Sequence, residues 1–176
     1  MENYEELLRF YIVIAWHGTS ERNAKKIIQS NNFLISEDED EWLGKGIYFI
    51  ESNKFWACRW AKKGKHKYNQ SAAIKVLICA RSDEVFDFQK DEWFRLFHKT
   101  KKELIEQGII NEKEKTDGHV IDFICRLYEK KNEKSIKIVR NFYGYTQENS
   151  NFLNVQVQIC VKDPSVISEI KGYESC

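Results

Sequence analysis

Apolar and polar positions follow patterns along the chain that predict strands in four places. An apolar, β-branched run at residues 11–16 predicts a buried strand, and apolar runs at 46–50 and 72–80 predict two more. Residues 152–161 begin with two apolar residues and then alternate, which predicts a strand with one polar face. The apolar face of this last strand carries Val155, Val157, Ile159 and Val161, and the polar side carries Gln156, Gln158, Cys160 and Lys162.

Four other segments have the three- and four-residue spacing of amphipathic helices. They are 20–30, 52–63, Asp91–Glu106 and 118–130. Ser20 is the expected N-cap of the first helix, and Ser52 or Asn53 that of the second. Because helices and strands are interleaved irregularly and the late strand has a polar face, the pattern favours an α+β fold with largely antiparallel sheets over a doubly wound parallel sheet.

Composition and charge narrow the class of protein. The chain has 176 residues without a Gly/Ser/Pro linker or an internal repeat, which predicts one domain over 1–176. With 42% hydrophobic residues and a single proline, it has the composition of a globular protein. The formal net charge is +1, so no overall field draws the chain to nucleic acid or to a membrane surface.

The cysteines and the start of the chain predict a reducing compartment. The five cysteines are scattered singly, without a CxxC pair or zinc-finger spacing, so we expect free, mostly buried thiols and no metal site. The first residues carry Glu2, Glu5 and Glu6 where a secretion signal has basic residues. The apolar run at 11–16 is too short to cross a bilayer. We therefore expect a cytoplasmic protein with no membrane partner.

Two glycine-bearing segments are the candidates for chemistry. The first is WHGTS at 16–20, at the end of the first strand, and the second is WLGKGIYF at 42–49, opening the next. His17 offers ring nitrogens for hydrogen bonding, Gly18 offers accessible peptide groups, and Tyr48 offers a flat ring for stacking. Gly44-Lys45-Gly46 lacks the third glycine of a dinucleotide fingerprint, and the chain has no phosphate-loop, zincin or nucleophile-elbow motif.

These segments, followed by a helix with Ala57, Trp60 and Ala61, resemble the ADP-ribosyltransferase superfamily in its poly(ADP-ribose) polymerase and diphtheria-toxin branch. The resemblance implies two packed, mainly antiparallel sheets with flanking helices. It implies NAD as co-substrate and no metal. It also implies that His17 bonds a ribose hydroxyl of NAD, that the Gly18 backbone holds the carboxamide, and that Tyr48 stacks on the nicotinamide ring.

The resemblance assigns further residues to the same site. Thr19 matches a small hydroxyl residue on the adenosine side, Gly46 belongs to the cofactor-binding G-x-G-I-Y-F motif, and Trp60 lies near the second aromatic of the nicotinamide sandwich. The third member of the catalytic set is a carboxylate or its substitute on a late strand. Here it falls on Gln158, or on Gln156 two residues earlier, and we prefer Gln158.

The implied function is an NAD-dependent mono-ADP-ribosyltransferase with a His17, Tyr48 and Gln158 set, acting on a protein or an RNA. Because a neutral amide supplies no full negative charge, single transfer is favoured over chain elongation, and a catalytically inactive module that binds NAD or ADP-ribose is the alternative. The GIYF motif, the segment Val139 to Phe142 and the late strand also resemble small bacterial toxin or phage-defence transferases, which allows an antitoxin protein as a partner.

Other charged residues have competing interpretations. Lys62, Lys63, Lys65 and Lys67, with His66 and Tyr68, form a basic patch that could meet an RNA backbone, although a solvated loop is the simpler explanation. RNA binding without NAD chemistry is thus a third hypothesis. Asp117 and Arg140 could each contact a substrate or form a structural ion pair.

Overall fold

The structure is a computed structural model that describes residues 9–36, 38, 41–63, 68–111, 117–146 and 153–176. Within these ranges the chain forms seven strands and four α-helices. The strands are β1 (Phe10–Ser20), β2 (Ile47–Glu51), β3 (Ser71–Arg81), β4 (Val85–Asp87), β5 (Ile138–Thr146), β6 (Leu153–Val161) and β7 (Ile167–Ser175). The helices are α1 (Glu21–Ser30), α2 (Lys54–Lys63), α3 (Asp91–Glu106) and α4 (Asp117–Asn132).

The strands form one mixed sheet with the order β4-β5-β6-β2-β1-β3-β7. Every neighbouring pair is antiparallel except β4 and β5. The predicted α+β class is confirmed, whereas the expectation of two separate packed sheets is wrong for the described residues. The half β4-β5-β6-β2 and the half β1-β3-β7 are joined by the pairing of β1 with β2. This pairing consists of only Ala15–Glu51 and Trp16–Ile50, whereas β1 pairs with β3 along its whole length.

Side-chain alternation along the strands places a core on each side of the sheet. Helix α1 covers one face, where the main core includes Ala15, Phe49 and Ile74. On the other face α2 packs over β1 and β3 through Ala57, while α3 and α4 cover the far half of the sheet. Between α2 and the α3–α4 layer, the face formed by β1, β2 and β6 has space for a site.

The predicted elements agree with the structure in most places and differ in length or number in others. Helix α3 has the predicted bounds, and Ser20 caps α1 by accepting from the Asn23 N–H at 3.1 Å. At the second helix, Asn53 rather than Ser52 accepts from a first-turn N–H. Strand β1 continues to Ser20, so the WHGTS segment belongs to the strand and not to a loop after it.

Strands β4, β5 and β7 were not among the predicted strands. After β6 the chain forms a single 3-10 turn, Pro164–Val166, and β7 follows it, so the late alternating strand is not the last strand. Strand β7 lies at the edge of the sheet and its burial does not alternate regularly, which explains why the apolar pattern gave no signal there.

The expectation that all five thiols are free is wrong. Cys58 on α2 and Cys176 after β7 form a disulfide across 118 positions of sequence. Strand β7 pairs with β3 through Ser175 and Ala72, which brings the final residue beneath α2. Cys79, Cys125 and Cys160 are free.

In the described ranges no helix is long and apolar enough to span a membrane, and no three His, Cys, Asp or Glu side chains cluster for a metal.

Candidate functional site

The site begins where β1 and β2 part. Ile14 C=O accepts from the Ser52 N–H at 2.8 Å, and Trp16 pairs with Ile50. Because hydrogen-bonded pairs occur at every second residue of an antiparallel ladder, the next such pair would join Gly18 to Tyr48. The ladder stops before that pair. Instead, His17 Nδ1 donates to the carbonyl oxygen of Tyr48 at 2.8 Å. Because strand residues two apart point their peptide groups to the same side, those of Gly18 face the opening between the strands.

Two cavities meet at this opening. The smaller, of about 330 Å³, lies on the α2 face and is lined by Trp16, Trp42, Trp60 and Gln158. The larger, of about 590 Å³, lies on the α1 face and is lined by His17, Thr19, Asn23 and Gly46. Three residues line both cavities: Gly18, Glu41 and Tyr48. An elongated ligand with one end in each cavity would pass between β1 and β2.

His17 is a neutral hydrogen-bond acceptor toward the larger cavity. Its ring packs against Phe33 and Phe49, with centroid distances of 5.4 and 5.7 Å. Burial lowers the pKa of His17, and the bond to the Tyr48 carbonyl opposes that shift without reversing it. Since a carbonyl oxygen can only accept, Nδ1 carries the proton and Nε2 keeps its lone pair. His17 can therefore accept a hydrogen bond from a ligand hydroxyl.

Tyr48 has a structural hydroxyl and a ring at the junction of the cavities. Its hydroxyl donates to the Gly44 carbonyl at 2.8 Å and accepts from the Leu43 N–H at 3.0 Å. Burial, followed by the nearby Cys160 and Glu41, raises the pKa of Tyr48 well above its usual range. The phenol thus stays protonated and anchors the segment 41–45, hereafter the 41–45 loop, while the ring lines both cavities.

Two buried glutamines of β6 each hold a tryptophan. Gln158 Oε1 accepts from Trp42 Nε1 at 2.8 Å, and Gln156 Oε1 accepts from Trp60 Nε1 at 3.3 Å. Each glutamine is only 4% exposed, so the polar face of β6 points into the protein rather than to solvent. Gln158 lines the smaller cavity, whereas Gln156 orients Trp60. With one lone pair of its oxygen engaged, the amide of Gln158 can still offer a ligand its NH₂ group and the second lone pair of that oxygen.

An aromatic wall encloses the smaller cavity. Trp42 and Trp60 both contact the Tyr143 ring edge to face, at centroid distances of 6.1 and 6.4 Å. Trp60 is 44% exposed, so this wall stands at the mouth of the cavity. Flat aromatic walls whose N–H groups are already bonded within the protein suit a planar ring ligand.

The 41–45 loop is braced against α4. Lys162 Nζ donates to the Leu43 carbonyl and to Asp122 Oδ1, both at 2.7 Å. Gly118, in the first turn of α4, has no room for a side chain because a Cβ there would overlap the carbonyl oxygen of Glu41. The side chains that this loop carries toward the cavities are therefore held in place from both sides.

Packing explains two of the glycines that the sequence assigned to ligand binding. A Cβ on Gly18 would overlap the carbonyl oxygen of Ala57 in α2, and a Cβ on Gly46 would overlap Cys160 Sγ. Both residues also line the larger cavity. The absence of a side chain thus serves close packing at both positions, and the same packing brings α2 and β6 up to the cavities.

The structure brings together the seven residues predicted for the site. His17, Gly18, Thr19, Gly46 and Tyr48 line the larger cavity, and Gly18, Tyr48, Trp60 and Gln158 line the smaller one. Sequence reasoning missed Trp16, Glu41, Trp42 and Tyr143. The adjacency of Glu41 and Trp42 to the GKGIYF motif was a signal for two of them.

The other charged candidates are engaged elsewhere. Asp117 accepts from Lys101 at 2.6 Å, and Arg140 pairs with Glu51 at 2.7 Å and with Asp87 at 3.0 Å. Both are therefore structural ion pairs. Of the basic patch, Lys65, His66 and Lys67 lie outside the described residues, and Lys62 donates to the Cys176 carbonyl at 2.6 Å.

Comparisons with known proteins give a relative without a described activity. No family model matches the chain, and no solved structure matches it. The chain is similar to the uncharacterized protein MJ0359 of Methanocaldococcus jannaschii, with 27% identity over 194 aligned positions. The alignment covers 96% of this chain and 90% of that protein, so the similarity extends over nearly the whole length of both.

Proposed function

We propose that this chain binds NAD across the opening between β1 and β2 and transfers its ADP-ribosyl group to a macromolecular acceptor, releasing nicotinamide. The observation that carries the proposal is the meeting of two cavities at Gly18 and Tyr48, where the sheet parts. Concave sites of a few hundred Å³ with aromatic walls and a few convergent polar groups are typical of small-molecule binding.

The residues present fit the two ends of NAD. The smaller cavity offers the Tyr48 ring and Trp60 to a flat nicotinamide ring, and the adjacent Gly18 peptide offers an N–H and a C=O to its carboxamide. In the larger cavity, Nε2 of neutral His17 accepts a hydrogen bond from a ribose hydroxyl, and Thr19 lies on the adenosine side.

The reaction would depend on positioning and on easing the departure of nicotinamide. The clamp on the nicotinamide ring and the His17 contact hold the ribose so that an acceptor can attack from the open side. Gln158 donates a hydrogen bond near the reacting ribose through its NH₂ group. An amide at this position favours a single transfer over the growth of a polymer.

Release of nicotinamide tests this proposal. The purified chain is incubated with NAD and either a protein extract or total RNA, and free nicotinamide and labelled acceptor are quantified. We expect label on one acceptor class. In His17→Ala and Tyr48→Ala the rate of nicotinamide release and of labelling should fall by about 100-fold or more. His119→Ala, at an exposed position of α4, is the matched control and should keep full activity. Full activity in the His17 and Tyr48 variants would overturn the assignment.

A second candidate function is an NAD- or ADP-ribose-binding module without turnover. It is favoured by the amide of Gln158, which stands where a catalytic carboxylate would act and whose oxygen is engaged by Trp42. Calorimetry that shows binding of NAD or ADP-ribose, together with no nicotinamide release for any acceptor, would support this function over the transferase.

The biological setting follows from the resemblance to toxin and phage-defence transferases. We propose a cytoplasmic effector, with an antitoxin protein as its partner. Expression of the wild-type chain should arrest growth, whereas Tyr48→Ala should not. Equal arrest by both would contradict a role for NAD chemistry in toxicity. RNA binding that is steeply salt-dependent and unchanged in both site variants would instead favour the nucleic-acid hypothesis.

A further inference from the structure

We propose that Glu41 is the catalytic carboxylate of this site, an inference that rests on the proposed function. Glu41 lines both cavities and shares that position with Gly18 and Tyr48. A ligand that places its nicotinamide ring in the smaller cavity and the attached ribose in the larger one has the C1′–N bond between ring and ribose at this junction. The side chain of Glu41 is therefore at the place where that bond must break.

Gln158 can orient a ribose, but its neutral amide carries no negative charge and is too weak a base to take a proton from an acceptor. One lone pair of its Oε1 is also engaged by Trp42 Nε1 at 2.8 Å. A carboxylate can stabilise positive charge and accept a proton, and Glu41 supplies one at the lining of the same cavity as Gln158.

The surroundings of Glu41 hold its carboxylate in place. Oε1 accepts from Ser36 Oγ at 2.7 Å. Ser36 is itself fixed by two backbone hydrogen bonds with Gly46, at 2.9 and 3.1 Å. The backbone of Glu41 is fixed as well, since its carbonyl accepts from the Gly44 N–H at 2.9 Å and packs on Gly118. Because a carboxylate has about four lone-pair sites, the Ser36 bond leaves capacity for a ligand.

The charge also acts on the neighbouring ring. Glu41 and Tyr48 line the same two cavities, and the negative charge of Glu41 adds to the effects of burial and of Cys160 in raising the pKa of Tyr48. A cationic nicotinamide ring on Tyr48 would therefore feel an attractive field from Glu41.

The transfer step balances with Glu41 as the base. The bond between the ribose C1′ and the ring nitrogen breaks, and its electron pair neutralises the pyridinium, so that nicotinamide leaves uncharged. Positive charge then falls on C1′ and the ribose ring oxygen, where the Glu41 carboxylate stabilises it. The hydroxyl or amine of the acceptor bonds to C1′, and its proton passes to Glu41 and then to solvent.

The test compares a cationic with a neutral ring in the same site. NAD⁺ and NADH differ in the charge of the nicotinamide ring, so calorimetry with both ligands, in the absence of any acceptor, measures the field at that ring. We expect the wild-type chain to bind NAD⁺ more tightly than NADH. In Glu41→Gln the ratio of the two affinities should fall about tenfold, while the affinity for NADH stays within about twofold of wild type. Nicotinamide release by Glu41→Gln should fall about 100-fold.

Two further variants complete the design. Glu41→Asp keeps the charge on a shorter side chain and should retain the NAD⁺ preference. Glu103→Gln, on an exposed position of α3, makes the same chemical change away from the cavities and should behave as wild type. NADH binding by Glu41→Gln shows that this variant is folded; if it fails to fold, Glu41→Ala, which also removes the charge, should show the same loss of NAD⁺ preference at unchanged NADH affinity.

The outcomes separate the two proposals. A wild-type chain that binds neither dinucleotide overturns the proposed function and, with it, the role of Glu41. Equal affinity of wild type for NAD⁺ and NADH, or an unchanged preference in Glu41→Gln, overturns Glu41 alone. In Glu41→Asp, a loss of the preference would show that charge at this position is not what the ligand senses.

Discussion

The substitution Tyr48→Phe separates the two tasks of this residue, because it removes the hydroxyl and keeps the ring. The hydroxyl joins β2 to the 41–45 loop through the Gly44 carbonyl at 2.8 Å and the Leu43 N–H at 3.0 Å. Leu43 is fully buried, so its N–H would lose its partner without access to bulk water. Leaving this buried donor unsatisfied costs about 1–3 kcal/mol, whereas the Gly44 carbonyl still accepts from Cys160 Sγ at 3.5 Å. We therefore expect a loss of about 1–3 kcal/mol in the free energy of unfolding.

The assay is denaturant unfolding of Tyr48→Phe beside Tyr173→Phe on the edge strand β7. The control should stay within about 0.5 kcal/mol of wild type. Because the phenyl ring still lines both cavities, Tyr48→Phe should weaken NAD binding less than Tyr48→Ala does. Unchanged stability in Tyr48→Phe would refute the view that this hydroxyl anchors the 41–45 loop.

Three further predictions concern the strand, the histidine and the disulfide. Gly18→Ala forces a Cβ into the Ala57 carbonyl and should cost about 1–3 kcal/mol in denaturant unfolding; a neutral effect would contradict this packing. Because burial lowers the pKa of His17, the unfolded chain binds a proton at this residue more readily than the folded chain does. The contribution of neutral His17 to the free energy of unfolding is therefore complete above about pH 6.5 and is lost as pH falls below that value. His17→Gln should flatten this part of the stability profile, and an unchanged slope would exclude His17 as its source. Reducing Cys58–Cys176, which closes 118 positions of sequence, should lower the free energy of unfolding by about 2–5 kcal/mol, and an unchanged midpoint after reduction would contradict the linkage.

Local patterns predicted the elements whose burial is regular along the chain. Helix α3 has buried Trp93, Phe97 and Leu104 at helical spacing, and its bounds agree with the prediction. Strand β6 alternates because both its faces are used, one in the main core and one in the site. By contrast, β4 has three residues and β7 lies at the edge of the sheet, so neither produces a periodic signal long enough to recognise.

The site could be predicted only as far as its residues are close in sequence. His17 and Gly18 lie in one short motif and Tyr48 in another, and both motifs were recognised. The partners Trp42 and Gln158 are 116 positions apart, and only the pairing of β2 with β6 brings them together. The same limit applies to Cys58 and Cys176, whose linkage depends on the register of β7 against β3.

The role of Gln158 shows why a residue type does not define its chemistry. From the sequence, this amide was expected to orient the reacting ribose. In the structure the indole of Trp42 occupies one lone pair of its oxygen, which fixes the orientation of the amide. A hydrogen bond between distant segments thus restricts what this side chain can do, and no local pattern in the sequence indicates it.

A crystal structure of the chain grown with NAD tests the central claim most directly. We expect the nicotinamide ring on Tyr48 with its carboxamide on the Gly18 peptide, and the adenosine end past His17 in the larger cavity. Density for NAD at any other place on the protein, or an opening between β1 and β2 that remains empty at saturating NAD, would contradict the account.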